Sequence, residues 1–229
     1  MPAHHALADV ASLIGEPTRA AMLLALLEGR ERPASDLARE AGLSAAATSL
    51  HLGKLVAAGL LAVRAAGRFR YYRLASPQVA QALEALGLVA TGAPPARSLT
   101  RQQVELRHAR RCYDHLAGMV SVAFARMLER ERLLAADDDW SVTRRGAAWF
   151  AAELSIDVSA LRTQRRPVAR HCLDWTERQP HLAGSLGAAV LDALTARRWV
   201  TSGPPGTSPR ALRITARGQR VLAGWGVRG

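Results

Sequence analysis

The sequence predicts a mainly α-helical chain with short β-hairpins. An N-terminal winged helix-turn-helix is followed by a C-terminal duplicated helix–hairpin–helix domain of winged-helix-like halves. Three features carry that expectation. Apolar residues recur at helical spacing over roughly the first sixty positions. The period then changes to strand alternation around a glycine turn. The second part of the chain contains one segment twice.

Leu7, Val10, Leu13 and Ile14 form the apolar stripe of a first helix. Gly15-Glu16-Pro17-Thr18 interrupts it. Pro17 suits the first turn of the next helix, where its missing N–H would have no partner anyway. Arg19 to Glu28 continues as an apolar helix through Met22, Leu23, Leu26 and Leu27, and Gly29 ends it. Ser35 is placed to cap Asp36–Glu40. Ala41-Gly42-Leu43 has the length of the turn in a helix-turn-helix. Ser44 caps a helix from Ala45 to about Ala58, with Leu50, Leu52, Leu55 and Val56 on its apolar side. Leu60–Arg64 and Phe69–Leu74 read as strands joined through Ala65-Ala66-Gly67-Arg68. Pro94 and Pro95, among small residues in Thr91–Ser98, set the boundary between domains 1–95 and 96–229.

In a winged helix the second helix of the motif enters the major groove, and the basic hairpin flanks it along the backbone. The groove-facing candidates are Ser44, Ala46, Thr48, Ser49, His51 and Lys54. Hydroxyls can reach bases or phosphates, whereas Ala46 can only touch a thymine methyl. Such a helix offers few bidentate base readers, so more of the contact falls to the wing arginines Arg64, Arg68 and Arg70.

Leu13-Ile14-Gly15-Glu16-Pro17-Thr18-Arg19 resembles the opening helix pair of the arsenic-repressor (ArsR/SmtB) family. Asp36-Leu37-Ala38, Gly42-Leu43-Ser44, His51-Leu52, Leu55, Ala58-Gly59-Leu60 and Gly67-Arg68…Tyr72-Arg73-Leu74 resemble its helix-turn-helix and wing, in order and spacing. The resemblance implies a homodimeric repressor that releases double-stranded operator DNA on binding a metal or another signal. Two of the family's usual metal sites have no ligands here. Pro33-Ala34-Ser35 carries no thiol before Asp36-Leu37, and Gln78–Glu84 carries no histidine. Sensing is therefore expected in the second part.

That part repeats itself over about 108–155 and 168–226. Arg111-Cys112-Tyr113-Asp114-His115-Leu116-Ala117-Gly118 matches His171-Cys172-Leu173-Asp174…His181-Leu182-Ala183-Gly184, with six extra residues, Trp175 to Pro180, in the second copy. Val142-Thr143-Arg144-Arg145-Gly146 matches Ile214-Thr215-Ala216-Arg217-Gly218. A helix from about Leu99 to Arg132 would place His108, Cys112 and His115 on one face, because i, i+4 and i+7 coincide. With His171, Cys172, Asp174 and His181 they could hold a divalent metal such as zinc. Cys112 and Cys172 could instead form a redox pair, or be buried small thiols among structural hydrogen bonds. The five tryptophans could line a pocket for a small organic effector. The first helix and a stripe of Leu106, Tyr113, Leu116 and Val120 would build the dimer.

The formal net charge is +12, which favours a polyanion partner. Residues 1–95 hold nine Lys/Arg against seven Asp/Glu, a net of +2, so the second part carries +10. Two cysteines cannot form a secreted disulfide framework, and no apolar run approaches the ~20 residues of a membrane span. A reduced, cytoplasmic chain that does not enter a membrane is expected. A DNA-binding regulator is the favoured reading. A non-specific basic nucleic-acid-binding protein and, further off, a thiol-dependent enzyme are the alternatives. The sequence has no glycine-rich phosphate loop and no nucleophile elbow.

Overall fold

The computed structural model describes residues 2–90, 99–136, 139–204 and 206–227. The expected Pro94-Pro95 break lies outside them. The chain divides into two compact units, Met1–Leu83 and Glu84–Gly229.

The first unit opens with α1 (Pro2–Ile14) and α2 (Pro17–Ala25), the latter closed by a 3-10 turn at Leu26–Glu28. Glu16 and Arg19 cap both helices at their junction. Glu16 accepts the N–H groups of Thr18 (3.0 Å) and Arg19 (2.9 Å) at the start of α2. Arg19 reaches back, its Nε donating to the Leu13 carbonyl (2.7 Å) and a terminal nitrogen to the Ser12 carbonyl (3.0 Å). The last carbonyls of a helix have no partner within it, so this arginine satisfies groups that would otherwise need water.

Next come β1 (Arg32–Pro33), α3 (Ala34–Ala41), α4 (Ala45–Ala57), β2 (Leu61–Ala66), β3 (Phe69–Leu74) and α5 (Pro77–Ala90), whose residues from Glu84 on belong to the second unit. Ser35 is not the α3 cap. Pro33 occupies that position with no side-chain bond, because the helix starts directly from β1. Ser44 does cap α4, accepting from Ala47 N–H at 3.3 Å. The wing is tighter than the sequence indicates: Ala66 pairs with Phe69 across a Gly67-Arg68 turn, in the register Leu61↔Leu74. β1 adds a third strand through Arg32↔Tyr72. Leu50 points outward and is 70% exposed; the inward face of α4 is Thr48, Leu52 and Leu55, at i, i+4 and i+7.

The second unit contains α6 (Arg101–His108), β4 (Arg110–Cys112), β5 (His115–Ala117), α7 (Met119–Arg130), β6 (Leu134–Ala136), β7 (Trp140–Val142), α8 (Arg144–Leu154) and α9 (Val158–Leu161). It continues with β8 (Arg170–Leu173), β9 (Pro180–Ala183), α10 (Gly184–Ala196), β10 (Val200–Ser202), β11 (Leu212–Ile214) and α11 (Ala216–Gly224). The expected Leu99–Arg132 helix is therefore wrong. Ala109 is extended, Tyr113 has φ 59° and Gly118 has φ 90°, and together they turn its middle into the β4–β5 hairpin. The stripe of Leu106, Tyr113, Leu116 and Val120 does not exist as a surface, since Leu116 and Val120 belong to the core of this unit.

Each repeat is hairpin, helix, hairpin, helix. Thr143 caps α8 by accepting from Gly146 N–H (2.9 Å) and donates to the Arg132 carbonyl (2.9 Å). Thr215 does the same for α11 with Gly218 (3.1 Å) and Arg198 (2.9 Å). A Cβ on Gly146 or Gly218 would collide with the backbone carbonyl of Leu133 or Trp199. These equivalent contacts explain why Thr-x-x-Gly recurs. Trp149, Trp199, Trp225 and Phe124 pack ring against ring around this core. These three tryptophans fill space in the core of the unit. The cleft of about 260 Å³ between α7 and α11 has His108, Val120, Ile214, Gln219, Leu222, Ala223 and Val227 in its wall, and no tryptophan.

Gly146→Ala and Gly218→Ala should each lower the unfolding free energy of the second unit by about 1–3 kcal/mol. Urea titration followed by tryptophan fluorescence checks this, since all five tryptophans lie in that unit. A second prediction concerns Glu16. Partial desolvation opposes its charge, but the two N–H donors outweigh that and hold its pKa down to about 2. The folded value lies below the ordinary 4.5, so this stabilisation is present above about pH 4.5 and fades as pH falls toward 2. Far-UV circular dichroism of Glu16→Gln across that range should show a flatter acid limb than wild type.

Candidate functional site

The first unit presents an exposed surface made by α4 and the wing. Ser44, Ala46, Ser49 and Lys54 are exposed on or beside α4. Thr48 is not available to a groove: it is 1% exposed and its hydroxyl donates to the Ser44 carbonyl at 2.8 Å. Its place in the i, i+4, i+7 stripe with Leu52 and Leu55 is the reason. His51 is half-buried, with Nδ1 3.4 Å from the Glu16 carboxylate that caps α2. The wing arginines differ among themselves. Arg64 is held by Glu31 through Nε (2.9 Å) and a terminal nitrogen (2.6 Å), and its guanidinium lies over the Tyr71 ring. The hydrogen bond and charge of Arg64 pull the Glu31 carboxyl below its usual range. Arg68 stands at the turn with its guanidinium 5.3 Å from the Phe69 ring centre, and Arg70 is exposed on β3.

The second unit gathers Cys112, His115, Cys172 and His181. Cys112 pairs with His115 across the β4–β5 hairpin, and Cys172 with His181 across β8–β9. Each repeat thus contributes one thiol and one imidazole. The four ligand atoms lie within 4.8 Å of one another. The sulfurs are 3.9 Å apart and the two Nε2 atoms 3.2 Å apart. His115 turns Nδ1 to Asp114 Oδ1 at 3.0 Å, and Asp114 is held in turn by Arg166. His181, fully buried, has Nδ1 3.7 Å from Asp174 Oδ2. Asp174 also accepts the Gly118 N–H (2.7 Å), the Thr176 N–H (2.9 Å) and hydroxyl (2.7 Å), and lies 3.0 Å from Arg110. Arg110 is sealed below the Trp175 ring.

The hydrogen bond with Cys172, reinforced by burial, pushes the Cys112 thiol up to about 12. Burial opposes a charged His115, but the neighbouring Cys112 sulfur and the Asp114 carboxylate outweigh it and raise its pKa. Burial likewise opposes the Asp174 anion, yet Arg110, His181 and its hydrogen-bond donors hold it well below the usual carboxylate range.

Two sequence-predicted ligands fall outside the cluster. His108 ends α6 and faces the cleft described above. His171 alternates to the other side of β8 from Cys172 and meets Trp140 edge-on at 4.2 Å. Asp174 does not ligate either; it stands behind His181. Sequence reasoning missed Arg110, Arg166 and Glu31. Arg110 offered no local signal, because its partner lies 64 positions away in the sequence.

A helix-turn-helix domain model matches residues 14–64. The chain is 41% identical over 216 residues to the uncharacterized HTH-type transcriptional regulator YdfF of Bacillus subtilis, covering 93% of each. Among solved structures, NolR from Sinorhizobium fredii is 32% identical over 40% of this chain and 91% of its own, with a TM-score of 0.37. The homodimeric winged helix-turn-helix DNA-binding domain of a possible ArsR-family regulator from Mycobacterium bovis is 25% identical over 44% and 92%, with a TM-score of 0.38.

Arg110→Met should destabilise the second unit by about 3–5 kcal/mol, because it leaves the Asp174 charge buried and unpaired. Arg101→Ala, which removes a pair whose arginine is 83% exposed, should cost about 0–1 kcal/mol. The tryptophan-monitored urea titration separates the two.

Proposed function

The chain belongs to the HTH-type transcriptional regulators, and on that premise we propose that it is a homodimeric repressor whose operator binding answers to a signal received by the second unit. The observation that carries DNA recognition is the capped α4, with Ser44, Ala46, Ser49 and Lys54 exposed beside the arginine-bearing wing. Ser44, Ser49 and Lys54 would contact the groove and its phosphates, with Ala46 against a base. Arg68 and Arg70 would follow the backbone. Arg64 would have to leave Glu31 first, and His51 would serve mainly to join α4 to the α2 cap.

Dimerisation falls to α1, where Leu7 is 68% exposed, since Leu116 and Val120 of the expected second stripe are buried. Two copies of α4 would then address half-sites about one helical turn apart. A binding role suits the cysteines better than nucleophilic catalysis. Cys112 is 2% exposed with a raised pKa, the reverse of an activated thiolate.

The test is duplex binding against salt, using a sequence selected from a random pool by the full-length protein. A selected duplex should bind at least about a thousandfold more tightly than a scrambled one. A ratio near one would instead make the protein a non-specific binder. Removing Arg68 or Arg70 from both protomers should each flatten the log K–log salt slope by about 1.8, near 0.9 per phosphate. Arg64→Ala should change the slope less. Equal effects for all three would overturn the role given to Glu31.

A further inference from the structure

We propose that Cys112, His115, Cys172 and His181 bind one zinc-class divalent cation as a tetrahedral Cys2His2 centre joining the two repeats. This goes beyond operator recognition and does not depend on it.

The first argument is distance. A tetrahedral ion with bonds of about 2.3 Å to sulfur and about 2.05 Å to nitrogen requires S···S near 3.8 Å and N···N near 3.3 Å. The observed separations are 3.9 Å and 3.2 Å. A disulfide would need about 2.05 Å between the sulfurs.

The second argument is orientation. Asp114 accepts Nδ1–H of His115, and Asp174 stands at the same nitrogen of His181. Nδ1 of each ring is thus turned to a carboxylate, and Nε2 of each faces the other ring as the free ligand atom. At 3.2 Å the two Nε2 atoms either share one proton or, once that proton is lost, converge on a common cation. Carboxylates behind ligating imidazoles fix the ring and raise its basicity in metal sites generally.

The third argument is charge. Asp174 is neutralised by Arg110 and Asp114 by Arg166. The four ligands are then left to balance the ion alone. Two thiolates and a 2+ ion sum to zero, whereas a monovalent ion would leave a buried negative charge. Uptake releases the two thiol protons to solvent. Cys172 is only half-buried, so the ion has a route on its side of the cluster.

The consequence is mechanical. Each hairpin supplies one thiol and one imidazole, so the ion closes a link between residues 60 to 66 positions apart. Ion occupancy would therefore set how firmly β5 and β9 are held together.

The experiment titrates Co(II) into full-length protein, reduced and stripped with a chelator. One equivalent should bind, with the strong visible bands of tetrahedral Co(II) and a sulfur-to-metal charge-transfer band. One equivalent of Zn(II) should then displace it. Asp114→Asn should weaken Co(II) binding by about 10–100-fold while keeping the spectrum. His108→Asn and His171→Asn should bind as wild type. Cys112→Ser and Cys172→Ser should each diminish the charge-transfer band. If the serine variants do not fold, protection of the wild-type thiols from alkylation by Zn(II) gives the same answer. The proposal is overturned by sub-stoichiometric uptake, by a weak octahedral spectrum, by loss of binding in the His108 or His171 variants, or by a Cys112–Cys172 disulfide forming with no metal uptake.

Discussion

The second unit turns on the carboxylate of Asp174. It has no exposed surface, so its charge has lost water entirely. Such a charge costs several kcal/mol unless every lone pair finds a donor. Here Gly118, Thr176 and Glu177 donate to it, and the Arg110 guanidinium pairs its charge at 3.0 Å. Gly118 and Arg110 belong to the first repeat and Asp174 to the second, so satisfying one anion docks one hairpin on the other. The left-handed backbone at Gly118 brings its N–H to the carboxylate, and a Cβ there would strike the Arg107 carbonyl. Arg110 is fixed in turn by the Leu106 carbonyl, the Thr176 hydroxyl and the Trp175 ring.

The two repeats agree where backbone geometry is at stake and part where the insertion falls. Arg132 and Arg198 share a positive φ, 54° and 55°, two residues before the start of equivalent strands. Thr143 and Thr215 cap equivalent helices. The six extra residues of the second hairpin carry Trp175 and Thr176, which cover Arg110 and fold Asp174 inward. In the first repeat the two-residue turn Tyr113-Asp114 leaves Asp114 partly exposed beside Arg166. The ligand set is thus symmetric while its surroundings are not. Cys112 is sealed and Cys172 is reachable.

Charge is a poor map of function in this chain. The second unit is strongly basic, yet Arg107, Arg110, Arg166 and Arg210 are committed to Glu177, Asp174, Asp114 and Glu84. In the weakly charged first unit, Arg64 is occupied by Glu31. What distinguishes the proposed DNA-binding surface is the geometry of a capped helix beside a hairpin.

Much of the first unit could be read from residue order, because its signals act over a few positions. Glu16-Pro17 opens a helix, Ser44 caps one, and Gly67-Arg68 closes a hairpin. The repeat was legible too, as was the choice of Cys112 and Cys172 as partners. The sequence alone could not show that residues 109–118 form a hairpin. A spacing of three fits adjacent helical turns and also a two-residue β-turn, and only the left-handed Tyr113 separates them. Nor could it show that Thr48 faces inward, that His115 and His181 meet while His108 and His171 turn away, or that Arg110 neutralises Asp174. These outcomes depend on contacts between residues far apart in the chain, and on which buried charges can be satisfied. Local propensity sets where helices and turns begin. Tertiary packing decides which side chains are brought together to do chemistry.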